Sequence, residues 1–288
     1  MSATPIPLND VTMLLGEGPR WWSDSATLTW LDVTNGLAFR AALNEPPSVW
    51  DVGERVSFLA EKLGGGWILA LGGDIGVTDS WGARPTSRIS VVDSSDGLVL
   101  NDGIVDRRGC IWVGSADLSG ASRGGVFLIE GDFAVSKQIE GLSMANGIAF
   151  SSDGAEIYVV DTDRGTIDSY KLTAESDRLR ERNTIVRIDP DVGKPDGITV
   201  DIHGSIWVAI WGGGVVQRYS ADGSFLGQIQ LPVDNVSACT FGGKGLSKMF
   251  VTTAMRAPLK DPPTTSQFGR IFEVTPGSSG FPASRFGG

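Results

Sequence analysis

Among the polar residues that stand directly ahead of glycine or of an Asp-Gly pair, four could do chemistry together. They are Glu17 in LGEGPRWW, Asn101 in LNDGIV, Asn146 in ANGIAF and Asp196 in PDGITV. Two carboxylates and two amides make an oxygen-only donor set. Hard divalent cations such as Ca2+, Mg2+ or Mn2+ take such ligands, and the set contains no thiolate or imidazole for softer metals. Taken singly, each dipeptide also reads as an ordinary turn. Nucleophilic catalysis of the Ser-His-Asp or Cys-His kind would have to use the one histidine, His203. That residue lies in VDIHGSIW, where DIHG reads as an exposed hairpin turn. Any catalysis therefore falls to carboxylates, amides or a metal.

The elements that must position these residues recur. NDGIVDRRGCIWVGS, NGIAFSSDGAEIYVVDT, DGITVDIHGSIWVAIW and CTFGGKGLSKMFVTTA each run from a small or polar start through an apolar strand. A Gly-containing turn and a second strand follow. GEGPRWWSDSATLTWLDV and VSFLAEKLGGGWILAL fit more loosely, making six copies about 45 residues apart. An all-strand repeat of that length is the signature of a propeller blade. The expectation is an all-β, six-bladed β-propeller with almost no helix, residues 1–288 forming one domain. GGVFLIEG, TIDSYKL and GVVQRYSADGSFLGQIQLP supply outer strands. Carboxy-terminal GRIFEVTP is expected to pair with amino-terminal VTMLL, closing the ring and removing its open edge. In a propeller the first strand of each blade lines the central channel. Glu17, Asn101, Asn146 and Asp196 then converge on one axis, with the glycines after them letting backbone pack close to whatever occupies it. That convergence favours ligands over turns.

Composition narrows the partners. The net charge is −10 and the isoelectric point about 4.6, which argues against nucleic acid and anionic membranes. No apolar run approaches the roughly 18 residues of a membrane span. MSATPIPLND shows no signal-peptide pattern, so a cytoplasmic location is expected. Cys110 and Cys239 read as buried thiols, with no disulfide framework.

LGEGPRW, LNDGIVDRRGCIWVGS, ANGIAFSSDGAEIYVVDT, PDGITVDIHGSIWVAIWGGG and LPVDNVSACTFGGKG together resemble the senescence marker protein / gluconolactonase / luciferin-regenerating enzyme family, to which regucalcin-like proteins belong. The resemblance covers most of the chain in the family's order. It implies one divalent metal in a six-bladed channel, Ca2+ first and Mn2+, Mg2+, Zn2+ or Fe2+ as alternatives. It also implies hydrolysis of a lactone, usually an aldonolactone. Glu17, Asn146 and Asp196 match the family's metal ligands, and Asp196 also matches its proposed base. Asn101, with Asp102 beside it, matches a position near metal and substrate.

The chain also departs from the family pattern. Many sugar-lactonase members carry Arg two places before the ND asparagine, where this chain has Val99. Their GTM is here Gly114-Ser115-Ala116. After Asp117, the loop LSGASRGG holds Arg123 and no obvious acid. The metal chemistry stays intact, but the pocket becomes less sugar-like. Arg20 and Arg123 are candidates to grip a substrate anion or hydroxyl, against solvated surface arginines. Trp211 and Trp22 are candidates for the channel mouth, against core tryptophans. The favoured function is a metal-dependent lactonase, as a monomer or small homo-oligomer. The alternatives are a phosphotriesterase or esterase on the same metal propeller, and a non-enzymatic metal-binding interaction propeller.

Overall fold

VDRRGCIW and VDIHGSIW show how the repeat becomes structure. One oxygen of Asp106 accepts the amides of Arg108 and Cys110, each at 2.9 Å, and the other accepts the Trp112 indole N–H at 3.1 Å. Asp201 repeats the arrangement with His203 at 3.0 Å, Ser205 at 2.9 Å and Trp207 at 3.0 Å. A short acid bonding its own backbone two residues on closes the turn. The tryptophan six places later returns on the antiparallel partner strand. His203 is exposed in its turn.

The computed structural model describes residues 4–173, 176–255 and 267–287; the first three residues of MSATPIPLND lie outside it. Within these residues six four-stranded antiparallel sheets form the blades of a β-propeller. Their inner strands are Gly16–Trp22, Val56–Glu61, Leu98–Val105, Ala145–Phe150, Lys194–Val200 and Val236–Gly242, numbered here as blades one to six. Each inner strand touches the inner strand of the next blade around the ring. Among the described residues, helix is limited to two 3-10 turns, Ser94–Asp96 and Lys244–Leu246. Among these residues no helix is long and apolar enough to cross a membrane.

The ring closes in blade six, but not through VTMLL. Ile6–Pro7 pairs with Phe272–Val274, matching Ile6 to Glu273 and Pro7 to Phe272. Pro7 lacks an N–H, and a sheet edge is where that is tolerated. Residues 11–15 run on as a connector, the Met13 amide donating to the Gly269 carbonyl at 2.8 Å.

The core lies between blades. Trp22, Phe58 and Trp67 pack with aliphatic side chains of blades one to three, and burying each such side chain is worth about 1.5–3 kcal/mol. Trp22 is 1% exposed and its indole donates to Thr29 Oγ1, so it is a core residue and not part of the channel mouth. Neither cysteine is in a disulfide; Cys239 is buried, whereas Cys110 is half-buried.

The carboxy terminus forms a strap across the lower face. Ser279 and Gly280 bond to blades five and six through Ile202 and Leu246. Phe286 and Gly287 bond to blades two and three through Glu61, Leu63 and Gly109. Arg285 pairs with Glu61 and Asp24, each at 2.7 Å. Phe281 to Ser284 floor a cavity of ≈ 130 Å³ whose walls include Arg20, Ile104, Ala149, Thr199 and Thr240 of five inner strands.

Candidate active site

All six inner strands contain a one-residue β-bulge near their upper ends. Pairing with the second strand shifts between Glu17 and Arg20, Val56 and Phe58, and Leu100 and Gly103. The other three shifts lie between Ala145 and Ile148, Pro195 and Ile198, and Val236 and Ala238. A bulge breaks the alternation of a strand and re-aims one side chain. The residues left unpaired at these shifts include Ser57, Asn101 with Asp102, Asn146, Asp196 and Ser237, whereas Glu17 is the last paired residue before its bulge, opposite Leu31 and ahead of Gly18 and Pro19. The two serines, in VSFL and VSAC, were missed in the sequence. The shared Val-Ser start was the available signal, but serine carries no charge to mark it.

These bulges stitch neighbouring blades together. Ser57 Oγ donates to the Leu100 carbonyl at 2.9 Å, and Asn101 Nδ2 to the Ala145 carbonyl at 3.1 Å. Asn146 Nδ2 donates to Asp196 Oδ1 and, at 3.2 Å, to Thr162 Oγ1. Ser237 Oγ donates to the Gly16 carbonyl. The glycines serve the same seam rather than the axis. A Cβ on Gly147 would lie 2.5 Å from Ile198 N, and one on Gly197 2.5 Å from Ala238 Cβ. The close approach that requires glycine is therefore blade against blade.

The loops leading into the inner strands of blades one and four are pinned by buried aspartates. Buried Asp32 accepts the amides of Leu14 at 2.9 Å and Leu15 at 3.2 Å, just before Glu17. Buried Asp161 accepts those of Ser143 at 3.2 Å and Met144 at 3.3 Å, just before Asn146. Gly18, at φ 54°, turns the chain in the left-handed region beside Glu17. These constraints explain why a lone acid sits between glycines: its backbone is fixed on both sides.

The site is strongly acidic. Burial raises the Glu17 carboxyl well above its usual range, and the charges of Asp196 and Asp102 raise it further. Burial also raises Asp196, with Asp102 adding to it and the Asn146 hydrogen bond opposing. Asp102 is raised by burial and held back by the Arg20 guanidinium. Carboxylates crowded in a desolvated space call for a cation. The amides suit one as well. Both Nδ2 groups donate to protein acceptors, and among the described residues the Oδ1 atoms of Asn101 and Asn146 accept no hydrogen bond. The donor set of Glu17, Asn146 and Asp196 thus fits a hard divalent ion.

The other sequence candidates lie deeper than this cluster or apart from it. Arg20 is one step deeper: its Nη2 donates to the Gly103 carbonyl at 2.9 Å and its guanidinium lies 5.2 Å from the Phe58 ring centre. With Asp102, Gly197 and Cys239 it lines a cavity of ≈ 50 Å³ below the bulges. Arg123 is tied to its own loop, donating from Nε to Asp117 at 3.1 Å and from Nη2 to Ser119 at 3.2 Å. Trp211 is half-buried opposite Lys194, two residues from Asp196 in pairing register. Val99, paired with Ala116, is 9% exposed.

Residues 15–255 match the family described as the SMP-30/gluconolactonase/LRE-like region. A pentonolactonase of Haloferax volcanii is 31% identical over 287 residues, covering 96% of each chain. Among solved structures, a luciferin-regenerating enzyme superposes with TM-score 0.89 at 24% identity over 99% of each chain, a likeness of fold. A calcium-binding protein, regucalcin, from Agrobacterium tumefaciens superposes with TM-score 0.85 at 25% identity, covering 99% of this chain and 97% of its own.

Proposed function

Because the chain belongs to the SMP-30/gluconolactonase/LRE-like family, we propose that it is a divalent-metal-dependent lactonase, with Glu17, Asn146 and Asp196 as the protein ligands and Ca2+ as the first candidate ion. The observation that supports this reading most is the convergence of Glu17 and Asp196 in one desolvated field, with Asn146 bonded to Asp196. The pentonolactonase relative supports a lactone as substrate, and the calcium-binding relative supports the ion.

When bound, such a cation supplies Lewis acidity toward a carbonyl oxygen. The residues of the chain do the rest. Asp196 presents Oδ1 to Asn146, which fixes the plane of its carboxylate. It accepts the proton of the water that adds to the lactone carbonyl carbon. The ring C–O bond then breaks, and the proton passes to the departing alkoxide to give a hydroxy acid. Asn101 and Asp102 flank this position on the blade-three bulge and orient the ring. Val99 offers no hydrogen bond to a sugar hydroxyl, so simple alkyl lactones are the better substrates and aldonolactones the weaker ones.

The test is a panel of gluconolactone, alkyl lactones, phosphotriesters and aryl esters, with and without chelator, on wild type and Asp196→Ala. Lactone turnover that chelator abolishes is expected in wild type. In the variant, metal binding by calorimetry is lost and turnover falls at least about a hundredfold. Full metal occupancy in Asp196→Ala would overturn the ligand assignment, and preference for phosphotriesters would overturn the substrate.

A further inference from the structure

The sequence offers Arg20 and Arg123 as substrate-gripping cations, and neither reaches the upper mouth of the channel. Arg123 is committed to Asp117, and Arg20 lies beneath the bulges. A third arginine does stand there. Arg55 directly precedes the inner strand of blade two, two residues ahead of the bulge residue Ser57. Its backbone is held on both sides. Val56 is fully buried. Glu54 accepts from Arg88 Nη1 at 3.0 Å, and its carbonyl presses on the loop of blade one, where a Cβ on Gly36 would lie 2.4 Å away.

The Arg55 side chain is half-buried, yet among the described residues it makes no ion pair and no hydrogen bond. Its Nε is buried without a partner. Burial acts against its charge, and Glu17 is the acid whose field supports it. Other half-buried arginines here have a partner: Arg218 pairs with Asp201 at 2.8 Å, Arg285 with Glu61 and Asp24, and Arg40 lies over the Trp67 ring. A guanidinium stays charged at any ordinary pH, and one left desolvated and unpaired is costly. Such a group is satisfied by a ligand that arrives with its own oxygens.

The charge count says which oxygens. Glu17, Asp102 and Asp196 against Arg20 and Arg55 leave one negative charge. A divalent cation reverses the balance to one positive charge, which suits an anion. The guanidinium fork matches a carboxylate with two parallel hydrogen bonds.

We propose that Arg55 is a specificity-determining residue that binds a carboxylate carried by the substrate, apart from the carbonyl that reacts. The proposal rests on the lactonase reading and names its substrate class: a lactone bearing an acid side group. Arg55 then does on blade two what Val99 does not do on blade three.

The test compares wild type, Arg55→Met and Arg55→Lys, all loaded with Ca2+. The substrates are γ-butyrolactone-γ-carboxylate and its carboxamide. The non-hydrolysable probes are 3-oxocyclopentanecarboxylate and its carboxamide, measured by calorimetry. Wild type is expected to favour the acid over the amide at least about tenfold in kcat/KM and in probe affinity, the scale of a charge-assisted pair. In Arg55→Met that preference collapses while kcat/KM for the amide stays within about threefold. Arg55→Lys is intermediate because it keeps the charge and loses the fork. Equal treatment of acid and amide by wild type, or an equal loss on both in Arg55→Met, overturns the proposal and leaves the lactonase standing. Failure to open any lactone, with the probe preference intact and dependent on Arg55, instead overturns the lactonase and retains the carboxylate site.

Discussion

Glu17 and Asp196 hold their protons more tightly in the fold than in an unfolded chain, because burial and mutual repulsion disfavour their charges. A carboxyl whose folded pKa is raised adds stability at low pH and loses it as pH rises through the folded value. Carboxylates that are lowered, such as Asp201 and Glu54, work in the opposite direction. The site's share is therefore read as a difference. In chelator, Asp196→Asn is predicted to melt higher than wild type, with a gap that widens between about pH 4 and pH 8. Added Ca2+ should close the gap by stabilising only wild type, and its affinity should fall toward acid as protons compete for the ligands. Thermal melts across pH with both proteins check this, and a gap that does not vary with pH would rule it out.

At the scale of the strand, the bulge carries the site and glycine carries the bulge. Gly197→Ala is predicted to cost about 1–3 kcal/mol, as overpacking does, because the new methyl would meet Ala238 Cβ at 2.5 Å and Cα at 2.8 Å. Adding Ala238→Gly should restore part of the loss, and denaturant titrations of the four-member cycle measure it. If the two substitutions are additive, the seam is not where glycine is needed. The same elements show what a sequence makes legible. Repeat length and strand pattern reveal six blades, since blade strands alternate and end in turn residues. Charged or amide-bearing residues in or beside the bulges stand out ahead of glycine, as Glu17, Asn101, Asn146 and Asp196 do. Ser57 and Ser237 occupy equivalent bulges but look like any strand serine. Arg55 escapes because it lies in the linker GER, just outside the repeat, and its isolation is a property of three dimensions. Ile6–Pro7 escapes because a two-residue strand has no periodicity.

For the molecule as a whole, the closing contacts come from the chain ends. Phe286 is fully buried and lies 5.2 Å from the Phe133 ring. Phe286→Ala is predicted to destabilise by about 3 kcal/mol or more, while leaving kcat/KM per folded molecule unchanged because the strap lies at the opposite end of the channel from the bulges. Urea denaturation with parallel kinetics checks both halves, and a large kinetic effect at full folding would show that the strap shapes the site. The strap also gives the channel a dead end. On the lactonase reading, substrate arriving and hydroxy acid departing would share one doorway and could not pass through in sequence from opposite sides. Each turnover would then have to clear the doorway before the next began, and accumulated product would obstruct new substrate at the threshold itself.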